Sequence, residues 1–154
     1  MSGVSKPVTP PKSSAQEIAE TSARAMYAED HASQALGIVV ESVGPGRCTV
    51  TMTVAATMVN GLGACHGGYI FLLADSALGF ASNSHGVHAL AQNCAVTYLR
   101  PGRLGDRLTA VAKPVARQSR TAIYDVTVVR TGTSGDEVIA EFRGHTRDVE
   151  GSWV

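Results

Sequence analysis

Tyr69-Ile-Phe-Leu-Leu-Ala-Asp-Ser-Ala-Leu-Gly-Phe-Ala81 is apolar or small at every position except Asp75. A helix that is apolar all round is a buried helix. The run is too short to cross a membrane and carries a carboxylate inside it. A carboxylate on a buried helix is costly unless it is paired, hydrogen-bonded or protonated. His66-Gly67-Gly68 opens the segment and leaves bare backbone N–H groups at the helix start, while Asn83 and Gly86 end it. An electropositive helix end with a carboxylate two turns in makes a candidate catalytic pair.

The flanking sequence supplies the partner for this helix. Upstream, residues 15–29 read as a helix with Ser14 and Glu17 as a capping box, followed by a short helical turn at 31–36 that Gly37 stops. Ile38–Val43 and Arg47–Val54 are rich in β-branched residues and flank Gly44-Pro45-Gly46, which predicts a hairpin. Asn60, Gly61 and Gly63 mark residues 55–66 as a loop. Downstream the pattern turns to strands at 88–99, 106–115, 121–130 and 137–147. Leu108, Ala110 and Ala112 share one face of the second of these, and Ala122, Tyr124, Val126 and Val128 one face of the third. In the fourth, Val138, Ala140, Phe142 and Gly144 oppose Glu141, Arg143 and His145. Short connections make the strands antiparallel. The fold class is α+β: one antiparallel β-sheet against one long central helix, plus a short N-terminal helix. Either the sheet curves around that helix or another subunit covers its far side. The expected organisation is a tail at 1–14, one domain at 15–149 and a C-terminal tail at 150–154.

Thirteen basic and thirteen acidic residues give zero net charge over 154 residues. That argues against a nucleic-acid binder and against a membrane-surface domain. Three cysteines, Cys48, Cys65 and Cys94, are odd in number and widely spaced. A disulfide scaffold is not expected, and a reducing, cytoplasmic setting is.

Several residues near Asp75 carry two readings. Asp75 is a catalytic carboxylate or a buried aspartate locked in hydrogen bonds. His66 orients its loop or acts as a base. Asn60 positions water or a carbonyl, or simply makes an Asn-Gly turn with Gly61. Cys65 beside His66 reads as a small buried thiol, because adjacent residues rarely form a nucleophile–base pair. His85-x-x-His88 lacks further clustered ligands, so no metal is expected. Gly61-x-Gly63-x-x-x-Gly67 misses the dinucleotide-loop spacing and lacks the βαβ context.

Asn60-Gly-x-Gly-x-Cys-His-Gly-Gly68, Leu73-Ala-Asp75 and Leu99-Arg-Pro-Gly102 together resemble the hotdog-fold acyl-CoA thioesterases, in particular the phenylacetate-pathway, PaaI-like branch. The similarity runs from about residue 25 to residue 147. The resemblance implies a hotdog fold, a sheet wrapped around the long helix. It implies subunits paired into a dimer, often a tetramer, with the active site at the dimer interface. The implied activity is hydrolysis of an aryl-acetyl or medium acyl thioester of coenzyme A, in the setting of phenylacetate catabolism. Coenzyme A is then part of the substrate, and no separate cofactor is implied.

In that chemistry Asp75 is the carboxylate nucleophile or general base. A backbone N–H at the helix start, that of Gly67 by preference, would hold the negative charge that builds on the carbonyl oxygen. Asn60 and His66 complete the candidate catalytic set. Gly68 and Ser76 are candidate substrate contacts, since relatives often place Thr or Ser after the aspartate. The phosphates call for arginine at the pocket mouth. Arg100, Arg103, Arg117 and Arg120 stand at turns or strand ends, with Arg100 and Arg120 as the named candidates. Gln92, Asn93 and Ser76 are candidates for orienting water. Tyr69 departs from the small or polar residue of some relatives. Two rival readings are a hotdog hydratase or dehydratase, and a non-catalytic acyl-CoA binding module.

Overall fold

A computed structural model describes residues 13–154. Of the expected tail, residues 1–12 lie outside the described residues. Ser14 belongs to the first helix, α1 (Ala15–Glu29), as its cap. Its hydroxyl accepts from the Glu17 N–H at 3.2 Å, and Glu17 Oε2 accepts from the Ser14 N–H at 2.7 Å. The predicted capping box is therefore formed. Asp30 caps a second, short helix, α2 (His31–Ala35).

The hairpin follows as β1 (Val39–Gly44) and β2 (Arg47–Thr53). A loop with one 3-10 turn leads to α3 (Gly67–Asn83), and four strands complete the chain. These are β3 (Val87–Tyr98), β4 (Arg107–Gln118), β5 (Thr121–Arg130) and β6 (Glu137–Ser152). All six strands form one antiparallel sheet in the order β1-β2-β4-β5-β6-β3. The strands on either side of α3 in sequence, β2 and β3, lie far apart in that order, so the helix crosses the concave face of the sheet.

Helix α3 buries Ile70, Leu73, Ala74, Ala77, Leu78, Phe80 and Ala81, a spacing of three and four that draws one stripe along the helix. The stripe meets Ala110, Ala112, Ala122, Val126, Val128 and Ala140, the inward residues foreseen for β4, β5 and β6. Small side chains on both surfaces let helix and sheet approach closely. The approach is tightest at Gly144, where a Cβ would fall 2.4 Å from Leu78 Cδ2. Each large apolar side chain sealed in this layer contributes about 1.5–3 kcal/mol.

The face of α3 away from the sheet is not enclosed within the chain: Leu72, Asp75, Ser76 and Gly79 are only half-buried, and they line a cleft. Two expectations need correction. Along β6, Ile139 is fully buried beside Ala140, against strict alternation. The register pairs Val128 with Ala140 but Val129 with Val138, so Ile139 is the extra residue of a bulge and turns inward. Residues 150–154, expected as a tail, extend the last strand to Ser152. The Trp153 N–H then bonds to the Gly86 carbonyl at 2.9 Å, and its indole Nε1 donates to Asn83 Oδ1 at 2.8 Å. An aromatic side chain with a polar handle has found both an apolar bed and an acceptor.

Strands β1 and β3 are the edges. β3 carries exposed Leu90 and Tyr98, an apolar edge with unpaired backbone groups.

Candidate active site

The loop before α3 is held by the motif residues themselves. Asn60 Oδ1 accepts from the N–H groups of Leu62 at 2.9 Å and Ala64 at 3.2 Å. This is the turn role, and it uses the oxygen only, with no partner for Nδ2 among the described residues. The Cys65 N–H donates to the Gly102 carbonyl at 2.8 Å, so the Leu99-Arg-Pro-Gly102 turn props the loop from behind. The Cys65 thiol is buried, and burial raises its pKa, with the Asp106 charge adding to the shift. Such a thiol is a poor nucleophile.

His66 caps α3. Its Nδ1 accepts from the Gly68 N–H at 2.9 Å, which fits the loop-orienting reading and takes up Gly68 as a backbone donor. The Gly67 N–H has no partner among the described residues and stands at the positive end of the helix dipole. The Gly67 carbonyl accepts from the Tyr98 hydroxyl at 2.8 Å, and a Cβ on Gly67 would meet Tyr98 Cζ at 2.9 Å. Only glycine lets the aromatic ring lie this close.

Asp75 sits two turns further along. Its pKa is raised by burial, and the Cys94 thiol, which donates to Oδ1 across 3.8 Å, draws it part of the way back. The Cys94 pKa is pushed up to about 11, by burial first and by the Asp75 charge second. Cys94 therefore stays a thiol, able to donate. Asp75 lines a cleft of about 350 Å³ with Leu72, Ser76, Gly79 and Leu90. Ser76 Oγ lies 3.2 Å from Ser33 Oγ, which itself bonds to Asp30 Oδ2 at 2.6 Å. Ser76 is thus tied to α2.

Eight residues of α3 separate Gly67 from Asp75, about 12 Å along the axis. One ester carbonyl cannot be held by the first and attacked from the second in the same chain, because hydrogen-bond and attack distances are each only about 3 Å.

A model of the thioesterase superfamily matches residues 62–137, the span from the helix-start loop through β5. The acyl-coenzyme A thioesterase PaaI of Escherichia coli is 42% identical over 130 residues, covering 84% of this chain and 91% of that protein. The chain belongs to the PaaI-like acyl-CoA thioesterases of the hotdog fold. The structure of the E. coli PaaI protein from the phenylacetic acid degradation operon superposes on this thioesterase with a TM-score of 0.86. That match has 41% identity and covers 90% of this chain and 99% of that one. A Streptococcus mutans protein, smu.793, solved with acetyl CoA bound, matches at a TM-score of 0.69 with 30% identity, over 75% of this chain and 90% of that one.

The two arginines named as candidates for the pocket mouth, Arg100 and Arg120, are far apart within one chain of the thioesterase. Arg100 lies at the α3 start, two residues beyond Tyr98, and donates to the Val138 carbonyl at 3.0 Å. Arg120 donates twice to the Asp148 carbonyl, and Asp148 pairs with Ala89 beside the α3 C-terminus. Some 25 Å of helix lies between those ends, so one chain cannot bring both guanidiniums to one phosphate group. Arg117 is paired with Asp148. His85 and His88 form no metal cluster; among the described residues no group of three or more His, Cys, Asp or Glu side chains converges. No described helix is long and apolar enough to cross a membrane.

Sequence reasoning missed Cys94 and Tyr98. A signal was present: 94, 96 and 98 share one face of a strand. That face looks toward α3, and it is the face that carries the half-buried Cys94 and Val96.

Proposed function

We propose that this thioesterase hydrolyses medium acyl or aryl-acetyl thioesters of coenzyme A, with Asp75 as general base. The observation that carries the reading is a half-buried carboxylate with a raised pKa, open to a cleft, on a helix whose start offers an unpaired N–H. A base is most effective when its pKa approaches the working pH. Asp75 takes a proton from water as the water oxygen attacks the acyl carbon. Charge moves onto the carbonyl oxygen, which the Gly67 N–H stabilises by about 2.7–4 kcal/mol if it behaves as other single oxyanion donors do. The C–S bond then breaks, and the thiolate leaves and takes up a proton.

The 12 Å between Gly67 and Asp75 favours a site shared by two copies, with Gly67 of one facing Asp75 of the other. The exposed apolar edge of β3 is the natural pairing surface for such a dimer. The acetyl CoA bound by the S. mutans relative supports the choice of substrate. The hydratase reading needs a histidine beside the carboxylate, and His66 is already committed to Gly68. A pure binder has no use for a carboxylate held at a raised pKa.

Thiol release from a panel of CoA esters, with wild type and Asp75→Asn, tests the reading; no release from any ester defeats it. In ¹⁸O water, label found in the Asp75 carboxylate after a single turnover would reveal an acyl-enzyme anhydride opened at Asp75 and would overturn the general-base role. Mixing Asp75→Asn with Gly67→Ala tests the shared site. Half the randomly paired two-fold dimers are hybrids with one intact site each, so about a quarter of wild-type activity should return.

A further inference from the structure

Beyond Asp75 the cleft continues. A second hollow of about 390 Å³ shares Met26, Asp30, Asn83, Ala89 and Leu90 with the first, so the two form one groove beside α3. Asp75 stands at one end, and Trp153 and His88 stand at the other, with ring centroids 4.4 Å apart. This end is built rather than incidental. The Trp153 indole is fixed by Asn83 Oδ1, and the His88 ring lies over Gly151, where a Cβ would come within 2.2 Å of Nδ1.

Most polar groups along the groove are already occupied with one another, the exposed Glu29 at its far rim excepted. The Ser33 N–H and hydroxyl both bond to Asp30, Ser82 Oγ donates to the Gly79 carbonyl, and the Asn83 amide bridges both backbone groups of Ala89. What faces the groove is therefore largely the apolar surface of Met26, Leu72, Leu78 and Leu90. From Asp75 to Asn83 the helix rises about 12 Å. An extended alkyl chain of roughly nine or ten carbons, with ordinary C–C bonds, covers that length.

We propose that this groove is the acyl subsite and that Trp153 and His88 form its end wall, setting the longest acyl chain the enzyme accepts. The inference rests on the thioesterase reading of Asp75 and adds the direction and limit of the acyl group. With the ester carbon at Asp75, the chain runs toward the C-terminal end of α3. Its last carbons meet two aromatic faces. Longer chains would have to displace Trp153 from Asn83.

The test is kcat/KM over straight-chain CoA esters from four to sixteen carbons, for wild type, Trp153→Ala and Met26→Trp. Wild type should rise to about eight or ten carbons and fall beyond. Trp153→Ala should move the fall to longer chains. The ratio of dodecanoyl to octanoyl efficiency should rise on the order of tenfold, the scale on which a pocket discriminates by a few methylenes. Met26→Trp narrows the groove midway, leaves the C-terminal contacts in place, and should move the fall to shorter chains. If Trp153→Ala does not fold, Met26→Trp decides alone. An unchanged length limit in every folded variant overturns the end wall while leaving the thioesterase reading intact. Failure of wild type to release thiol from any ester overturns that reading first.

Discussion

The Cys94 thiol donates to Asp75 Oδ1 across 3.8 Å and is the side-chain donor that moderates the Asp75 pKa. A register shift between Ala91 and Asn93 precedes Cys94 on β3, and such bulges re-aim the side chains that follow. The other charged group along the cleft, Asp30, is turned to Ser33. Removing the thiol in Cys94→Ala should therefore raise the Asp75 pKa further and shift the acid limb of kcat/KM to higher pH. Cys94→Ser supplies a stronger donor and should shift it to lower pH. Superimposable profiles for the two variants would contradict this role.

Asp75→Asn should lower kcat by about 10²- to 10⁴-fold, the usual worth of a general base. Its effect on stability should have the opposite sign at neutral pH. Burial raises the Asp75 pKa above its unfolded value, so the protonated side chain favours the fold in acid. That contribution disappears as pH rises through the folded pKa. Asparagine does not titrate. Thermal melts from acid to neutral pH should show the Tm of Asp75→Asn gaining on wild type, and parallel curves would count against a desolvated carboxylate.

Gly67→Ala should cost folding stability, because its Cβ collides with the Tyr98 ring, and should lower kcat by up to about 10²-fold as the carbonyl is kept from the helix end. Adding Tyr98→Ala removes the collision. The double variant should recover Tm and not kcat. Recovery of both would mean that Gly67 serves packing alone.

Asn60 separates into two functions. Asn60→Ala loses two accepted hydrogen bonds and should destabilise the loop by about 0.5–1.5 kcal/mol for each. Asn60→Asp keeps an accepting oxygen and loses the free amide. A fall in kcat with little change in Tm is expected for Asn60→Asp; a rate equal to wild type would leave Asn60 as a turn residue only.

Gly144→Ala should destabilise the fold by about 1–3 kcal/mol through overpacking against Leu78. Denaturant midpoints would measure it, and Gly144→Ala combined with Leu78→Ala should cost less than the sum of the two single substitutions.

Much of this could be seen in the sequence, for reasons that differ by element. The helix announced itself because one run had to be buried, and β4 and β5 because every second residue was apolar. Ile139 could not be anticipated, since a bulge breaks the period that sequence reasoning relies on. The cleft face of α3 was hidden for a related reason: Leu72 and Gly79 look like core residues whether or not anything covers them. Cys94 and Tyr98 were within reach. Four residues of strand rise about 13 Å, close to the 12 Å that separates Gly67 from Asp75 on the helix. A strand running antiparallel to α3 with Tyr98 over Gly67 must bring Cys94 to Asp75. The arginines could not be ranked, because charge and turn position do not say to which end of a sheet a residue goes.

Close contact between α3 and the sheet, with alanine and glycine filling the seam, divides the helix lengthwise into two independent halves. One half is fixed by the fold and tolerates almost no added atom. The other, at Leu72, Ser76 and Gly79, is half-buried and lines the groove, with Ser76 held to Ser33 of α2 and Gly79 close against Met26 of α1. A library that exchanges Leu72 among apolar residues and varies Ser76, with Gly79 kept, should therefore diversify substrate preference while most of its members still fold, which makes this scaffold a practical starting point for engineered thioester hydrolysis.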